Sequence, residues 1–217
     1  MKIAVIGATG LIGKAVTAEL IARGHQVIGI SRHADSLPKA DNFTAVPLDV
    51  NSTQLVDQLT NVDAVISAFN GGWENPNLVA DYNKGIQSIL QAAQQAAVPY
   101  LLIVGGAGCL YVAPNLQLVD TKEFPEAIYP AANAIRQLLV QLKQNKQLNW
   151  AFVSPAAMFA VNPVKFEATG HYRIGGNHVL LDKNGQPADI SLPDLAAALA
   201  DDAEQKAHLH QHFTVSE

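Results

Sequence analysis

The stretch Ile3-Ala4-Val5-Ile6-Gly7-Ala8-Thr9-Gly10-Leu11-Ile12-Gly13 decides the fold. Four apolar residues run into a glycine-rich turn, and an amphipathic pattern opens directly after it. Strand, turn and helix in that order begin a βαβ unit. In such a turn Gly7 permits the tight bend, Gly10 lets backbone N–H groups approach a phosphate at the helix N-terminus, and Gly13 lets the helix pack closely on the sheet. Thr9, Leu11 and Ile12 complete a loop of the kind that holds a pyrophosphate. The spacing is GxxGxxG, a departure from the more widespread GxGxxG.

Working outward, apolar runs predict strands at Lys2 to Ile6, Gln26 to Ser31, Phe43 to Leu48, Ala64 to Ala68, Tyr100 to Val104 and Trp150 to Val153. Helical patterns fill the gaps at Leu11 to Arg23, Ser52 to Leu59, Asn77 to Ala97 and Ala131 to Asn145. Gly24 and Pro99 punctuate two of them, and Ser52 reads as an N-cap. The expected fold is α/β, a Rossmann-like doubly wound parallel sheet carried by one domain over residues 1–217. From Pro155 the period is lost, and residues 155–191 read as a small substrate-side insertion with short strands at Tyr172 to Ile174 and Val179 to Asp182. A turn at Lys183-Asn184-Gly185, a helix from Leu192 to Glu204 started by Ser191 or Pro193, and a last strand from His212 to Val215 complete the chain.

Composition narrows the function classes. Fourteen Lys and Arg against nineteen Asp and Glu give a formal charge of -5, and no basic cluster exists, which argues against nucleic acid or an anionic membrane as partner. The single Cys109 leaves no internal disulfide and no CxxC motif, as in proteins of a reducing cytosol. With no signal peptide and no long apolar run, the expected location is cytoplasmic. Cys109 has no cationic neighbour in sequence and reads as an ordinary buried thiol. His171 reads as a turn histidine, although it lies near the insertion and suits a proton donor. His208, His210 and His212 alternate, but without a carboxylate or thiol cluster they read as a polar strand face, so no metal is expected.

The remaining motifs fall at the carboxyl ends of the strands, where open α/β sheets place ligands. After the second strand stand Ser31, Arg32 and His33. A hydroxyl and a guanidinium suit a 2′-phosphate, which favours NADP(H) over NAD(H); Asp35 competes for the ribose, and Arg32 as a plain loop charge is the alternative. Asp49 with Val50 after the third strand suits an adenine ring, or Asp49 caps the next helix. Ala68 and Phe69 after the fourth, Gly105 after the fifth, and Ser154, Pro155 and Ala156 after the sixth would lie around a nicotinamide.

Together GATGLIG, SRH, LDV, SAF, VGGAG and VSPAAMF, followed by YRIGGNHVLLD, ISLPDLAAAL and HFTV, resemble an atypical short-chain dehydrogenase/reductase. The branch is the NmrA-like, NAD(P)H-binding one that includes NADH-flavin reductases and is related to biliverdin reductase B. The resemblance covers nearly the whole chain. It implies an NAD(P)H-dependent oxidoreductase, with a flavin or similar planar acceptor as substrate, or else a dinucleotide-binding redox sensor that does not turn over. The full family set of Ser, Tyr and Lys is incomplete here. Gly105 and Gly106 stand at the Ser position, and Tyr129 is followed four residues later by Asn133 rather than Lys. Tyr129 is therefore only a weak candidate for catalysis, with Arg136 as a distant substitute cation. Flavin reduction tolerates that loss, because stacked rings at close range are its main requirement. Phe69, Trp73 and Tyr111 are candidate stacking partners, each with core packing as the competing role. The loops Ser154 to Phe159 and Gly170 to Gly176 are candidate walls. Oligomeric state is not legible in the sequence.

Overall fold

A computed structural model describes residues 1–217. Strands β1 (Lys2–Ile6), β2 (Gln26–Ser31), β3 (Phe43–Pro47), β4 (Ala64–Ser67) and β5 (Leu101–Val104) alternate with helices α1 (Leu11–Ala22), α2 (Leu55–Leu59) and α3 (Leu78–Gln95). A small hairpin, β6 (Tyr111–Ala113) and β7 (Leu116–Gln117), precedes α4 (Tyr129–Gln144). The chain closes with β8 (Trp150–Pro155), β9 (Arg173–Gly175), α5 (Leu192–Gln205) and β10 (His212–Ser216).

The main sheet runs β3-β2-β1-β4-β5-β8-β10-β9. All neighbours are parallel except β9, which pairs antiparallel with β10 at one edge. The chain moves outward from β1 to β2 and β3, then returns to β4 on the other side of β1. That reversal opens a crevice above the carboxyl ends of β1 and β4, the place where such sheets bind ligands.

Helices cover both faces, so the central strands are apolar on both sides and read as continuous runs rather than alternations. Ala4 and Ile6 join a cluster of 25 buried residues with α2, α3 and α4; Ile3 and Val5 face a second cluster of 24 with α1 and α5. The helix α5 begins as the sequence reads: Ser191 Oγ accepts the Asp194 N–H at 3.1 Å, with proline in the first turn. Pro47 is tolerated because β3 is an edge strand.

Two expected elements change, and one hairpin is added. The expected helix from Ser52 begins only at Leu55, because Ser52 Oγ accepts the Gln54 N–H inside a turn and caps nothing. Val179 to Asp182 is not a strand. Its backbone is divided among separate partners, Val179 N–H to Tyr111, Leu180 O to Ala188 and Asp182 N–H to Gln186, and no ladder forms. The hairpin β6-β7 was not read from sequence; it turns at Pro114-Asn115, with Asn115 at φ 60°. Residues 177–179 lie against Tyr111, so this hairpin and the stretch after β9 form one wall beyond the carboxyl edge.

Candidate functional site

The turn after β1 is built for close approach. Gly7 has φ +79°, and a Cβ there would sit 2.6 Å from the Ala68 carbonyl oxygen. A Cβ on Gly13 would lie 2.1 Å from the Gly7 carbonyl oxygen, so only glycine lets α1 seat on the turn. The Gly7 and Ala8 N–H groups bond Ile30, and Gly10 N–H bonds Gly7. The amides of Thr9, Leu11, Ile12 and Gly13 have no acceptor within the protein, and the first turn of α1 has no acidic side chain. Unpaired amides at the positive end of a 12-residue helix suit a pyrophosphate.

Beside the turn, Thr9 Oγ1 and Ser31 Oγ lie 2.6 Å apart. Sequence reasoning placed Thr9 with the pyrophosphate only; the structure joins it to the β2 end as well, a contact across 22 residues with no local signal. Arg32 and His33 are exposed, and the Arg32 guanidinium meets no carboxylate. Asp35 is exposed in a short 3-10 turn.

Asp49 does not cap α2. Its Oδ1 accepts the Asn51 N–H at 2.8 Å and the Asn51 Nδ2 at 2.9 Å, forming an Asx turn that leaves Oδ2 open to solvent. Val50 is buried and shares its niche with Phe69: a Cβ on Gly85 of α3 would meet both. The Phe69 ring stacks on Tyr82 at 6.2 Å, so core packing is its role and only its main chain borders the crevice, next to half-buried Ala68. Trp73 by contrast is 64% exposed, and Tyr111 packs against His178 with ring centroids 5.6 Å apart.

Gly105 lies directly on the Phe152 ring, where a Cβ would be 2.0 Å from Cζ. Ser154, Pro155 and Ala156 were expected to touch a nicotinamide; all three are buried, Ser154 at 0% exposure. The Ser154 hydroxyl bonds Gly106 and His212 inside the protein, so its side chain acts on the site only indirectly.

Tyr129 is 40% exposed at the start of α4. Arg136 donates from Nη1 to Asp120 Oδ1 at 2.6 Å and from Nη2 to Asn133 Oδ1 at 2.6 Å. Burial works against the guanidinium charge, but Asp120 and the Tyr129 hydroxyl beside it raise its pKa. Tyr129, Asn133 and Arg136 thus share one helix face, although no lysine joins them. Cys109 is buried, which pushes its thiol up to about 12 and leaves it unreactive. His171 is exposed. The three C-terminal histidines do not form one polar face. His208 Nδ1 bonds Asp202 at 2.6 Å, His210 stands edge-on to Trp150, and His212 turns inward to Ser154. No three His, Cys, Asp or Glu side chains come together as metal ligands, and no helix is long and apolar enough to cross a membrane.

The model of the NAD(P)H-binding family matches residues 7–206. The chain belongs to the NAD(P)H-binding family. Its cofactor is a nicotinamide dinucleotide, which the unpaired amides and the Gly7 and Gly13 contacts suit. Within reach of the family, the Bacillus subtilis protein YwnB is 35% identical over 217 residues, covering 99% of this chain and 98% of its own. A candidate NADH-flavin reductase from Streptococcus pneumoniae has TM-score 0.86 at 34% identity, with 100% and 99% of the two chains covered. A candidate epimerase from Bacteroides thetaiotaomicron has TM-score 0.87 at 34% identity, covering 99% and 96%. These likenesses fit the atypical short-chain dehydrogenase/reductase pattern and an oxidoreductase role in general terms.

Proposed function

We propose that the protein is an NADP(H)-preferring oxidoreductase acting on a flavin or a similar planar acceptor. The observation that carries the reading is the character of the carboxyl edge: a phosphate cradle opens onto loops rich in exposed apolar side chains, with no lysine beside Tyr129. Trp73, Val112, Leu116, Val161, Phe166 and Leu181 are exposed large apolar residues in the segments that follow β4, β5, β8 and β9. Exposed apolar side chains on these loops suit a flat ring more than a sugar.

When bound, the reduced nicotinamide supplies hydride. The chain itself binds, orients and shields. Thr9, Leu11, Ile12 and Gly13 offer amides to the pyrophosphate; Ser31, with Thr9 at its side and Arg32 next in the chain, offers hydroxyl and guanidinium to a 2′-phosphate. Val50 and the Asp49 turn border the adenine side. The family's Tyr and Lys pair is incomplete, with Asn133 four residues after Tyr129, and a flavin can take its proton from solvent. The test is NADPH and NADH oxidation followed by nicotinamide absorbance with FMN, FAD, riboflavin and biliverdin offered separately, alongside titration of both cofactors. Acceptor-dependent oxidation with NADPH preferred supports the reading. Tight binding without turnover on any acceptor transfers it to a redox sensor.

A further inference from the structure

Ser154 Oγ lies 2.8 Å from the Gly106 carbonyl oxygen and 2.9 Å from His212 Nε2. A carbonyl oxygen only accepts, so the single hydroxyl proton of Ser154 goes to Gly106. The proton between His212 and Ser154 then belongs to Nε2. His212 is thereby held as the Nε2–H tautomer with a bare Nδ1, and that Nδ1 is buried without any partner. Burial, with the Lys143 charge adding to it, pushes the ring down to about 4, so it stays neutral at ordinary pH. Its edge also meets the Phe152 ring at a centroid distance of 5.3 Å, and Phe152 is the ring on which Gly105 lies.

The far end of this chain of bonds reaches the site. Gly105 N–H bonds Val153, and the Gly106 carbonyl takes both the Ser154 hydroxyl and the Cys109 N–H. In a trans peptide the C=O and the following N–H point opposite ways. With the Gly106 carbonyl held toward buried Ser154, the Ala107 N–H faces away from the interior, and it has no acceptor in the protein. Gly105, Gly106 and Ala107 are half-buried at the carboxyl end of β5.

We propose that His212, acting through Ser154, is a positioning residue: it fixes the Gly106–Ala107 peptide so that its N–H is presented to a carbonyl oxygen of the bound ligand. That oxygen belongs either to the nicotinamide carboxamide or to the acceptor ring. Two groups remote from the ligand thus set the direction of one main-chain donor. The rate arm of the test below rests on the oxidoreductase reading above; the spectroscopic arm does not.

The experiment uses the full chain labelled with 15N. At neutral pH the His212 ring should show the Nε2–H tautomer, and the Ala107 amide cross-peak should move when NADP+ is added, or only after riboflavin follows it. The first pattern assigns the carboxamide and the second the acceptor. In turnover, His212→Phe should lose about tenfold or more in kcat while its NADPH Kd stays within about threefold, and His212→Gln, whose amide can still donate to Ser154, should recover most of the rate. An Nδ1–H tautomer, an Ala107 amide indifferent to both ligands, or a His212→Phe enzyme with undiminished kcat would overturn the proposal. If the unmodified protein fails to oxidise NADPH with any of the acceptors offered, yet the tautomer and the Ala107 shift are as stated, the oxidoreductase reading falls and the positioning role stands.

Discussion

His212 makes a quantitative demand on stability as a function of pH. The ring titrates near 6.5 in an unfolded chain and is pushed down to about 4 in the folded protein by burial, with Lys143 contributing. Between those values the unfolded chain binds one proton more than the folded one, so stability is fully present above the unfolded pKa and is lost as pH falls toward the folded pKa. A shift of about 2.5 units corresponds to about 3.4 kcal/mol at most, and about 2.4 kcal/mol of it is lost between pH 7 and about pH 4.5. The assay is urea unfolding of the unmodified protein and His212→Gln at both pH values. Other groups titrate in both proteins and cancel in the difference of differences. The variant should be less pH-sensitive than its parent by about 2 kcal/mol. Equal pH dependence in the two, within about 0.5 kcal/mol, would mean that His212 is not held neutral in the fold and would remove the basis for its tautomer.

Four further outcomes follow from the geometry. Arg32→Ala should weaken NADPH by about 1.5–3 kcal/mol and leave NADH nearly unchanged in a titration of each; an equal loss for both would remove the 2′-phosphate assignment. Gly13→Ala places a Cβ 2.1 Å from the Gly7 carbonyl oxygen, so NADPH affinity should fall by at least about tenfold together with stability, and a variant with parental affinity would contradict the described seat of α1. Asp194, only 3% exposed, accepts from Thr169 N–H and Oγ1, Gly170 N–H and Ser191 Oγ. Burial opposes its charge, but these donors hold its pKa below the ordinary carboxylate value, so its contribution is present above that value and is lost in stronger acid. Asp194→Ala should cost about 3 kcal/mol in urea unfolding and speed amide exchange at Thr169 and Gly170; a cost under about 1 kcal/mol would show the anchor to be idle. Tyr129→Phe should keep flavin-dependent turnover within about threefold, and a loss of about a hundredfold would make the phenol the proton source.

Much of this was legible because β1, β2, β4, β5 and β8 are buried on both faces and therefore appear as unbroken Val, Ile, Leu and Ala runs. The ends of β1 and β2 coincide with the turn signals that bound them. Residues 107–128 were opaque for the opposite reason: strands of three and two residues, such as β6 and β7, have no period to detect. Val179 to Asp182 has the right residue types, yet Val179 bonds distant Tyr111 while Leu180 and Asp182 bond Ala188 and Gln186 across a local turn, so its backbone is split between a tertiary partner and a turn. In the site, the glycine turn and the Ser31-Arg32 end of β2 depend on local chain geometry and could be read. Phe69 could not, since the space for its ring comes from Gly85 on a later helix. The alternation of His208, His210 and His212 misled because only His212 belongs to β10; the other two precede the strand and are not bound to its pleat. The carboxyl-edge position of Ser154 could be read, while its hydrogen bond to His212, 58 residues away, has no local signal.

The placement of β10 bears on the order in which the molecule is made. Strand β10, the last in order among residues 1–217, lies inside the sheet between β8 and β9, and four of its five residues are buried. The cradle strands β1 to β5 and β8 can pair as soon as they appear, since chains fold as their segments emerge. Strand β9, by contrast, has no sheet partner until β10 is made. The glycine-rich turn after β1 can therefore form before β10 is made, whereas the wall that β9 joins is closed only by residues 212–216. A short C-terminal deletion should accordingly separate the two halves of the activity, leaving a nucleotide binder with an unfinished wall and an exposed β8 edge prone to pairing with other chains.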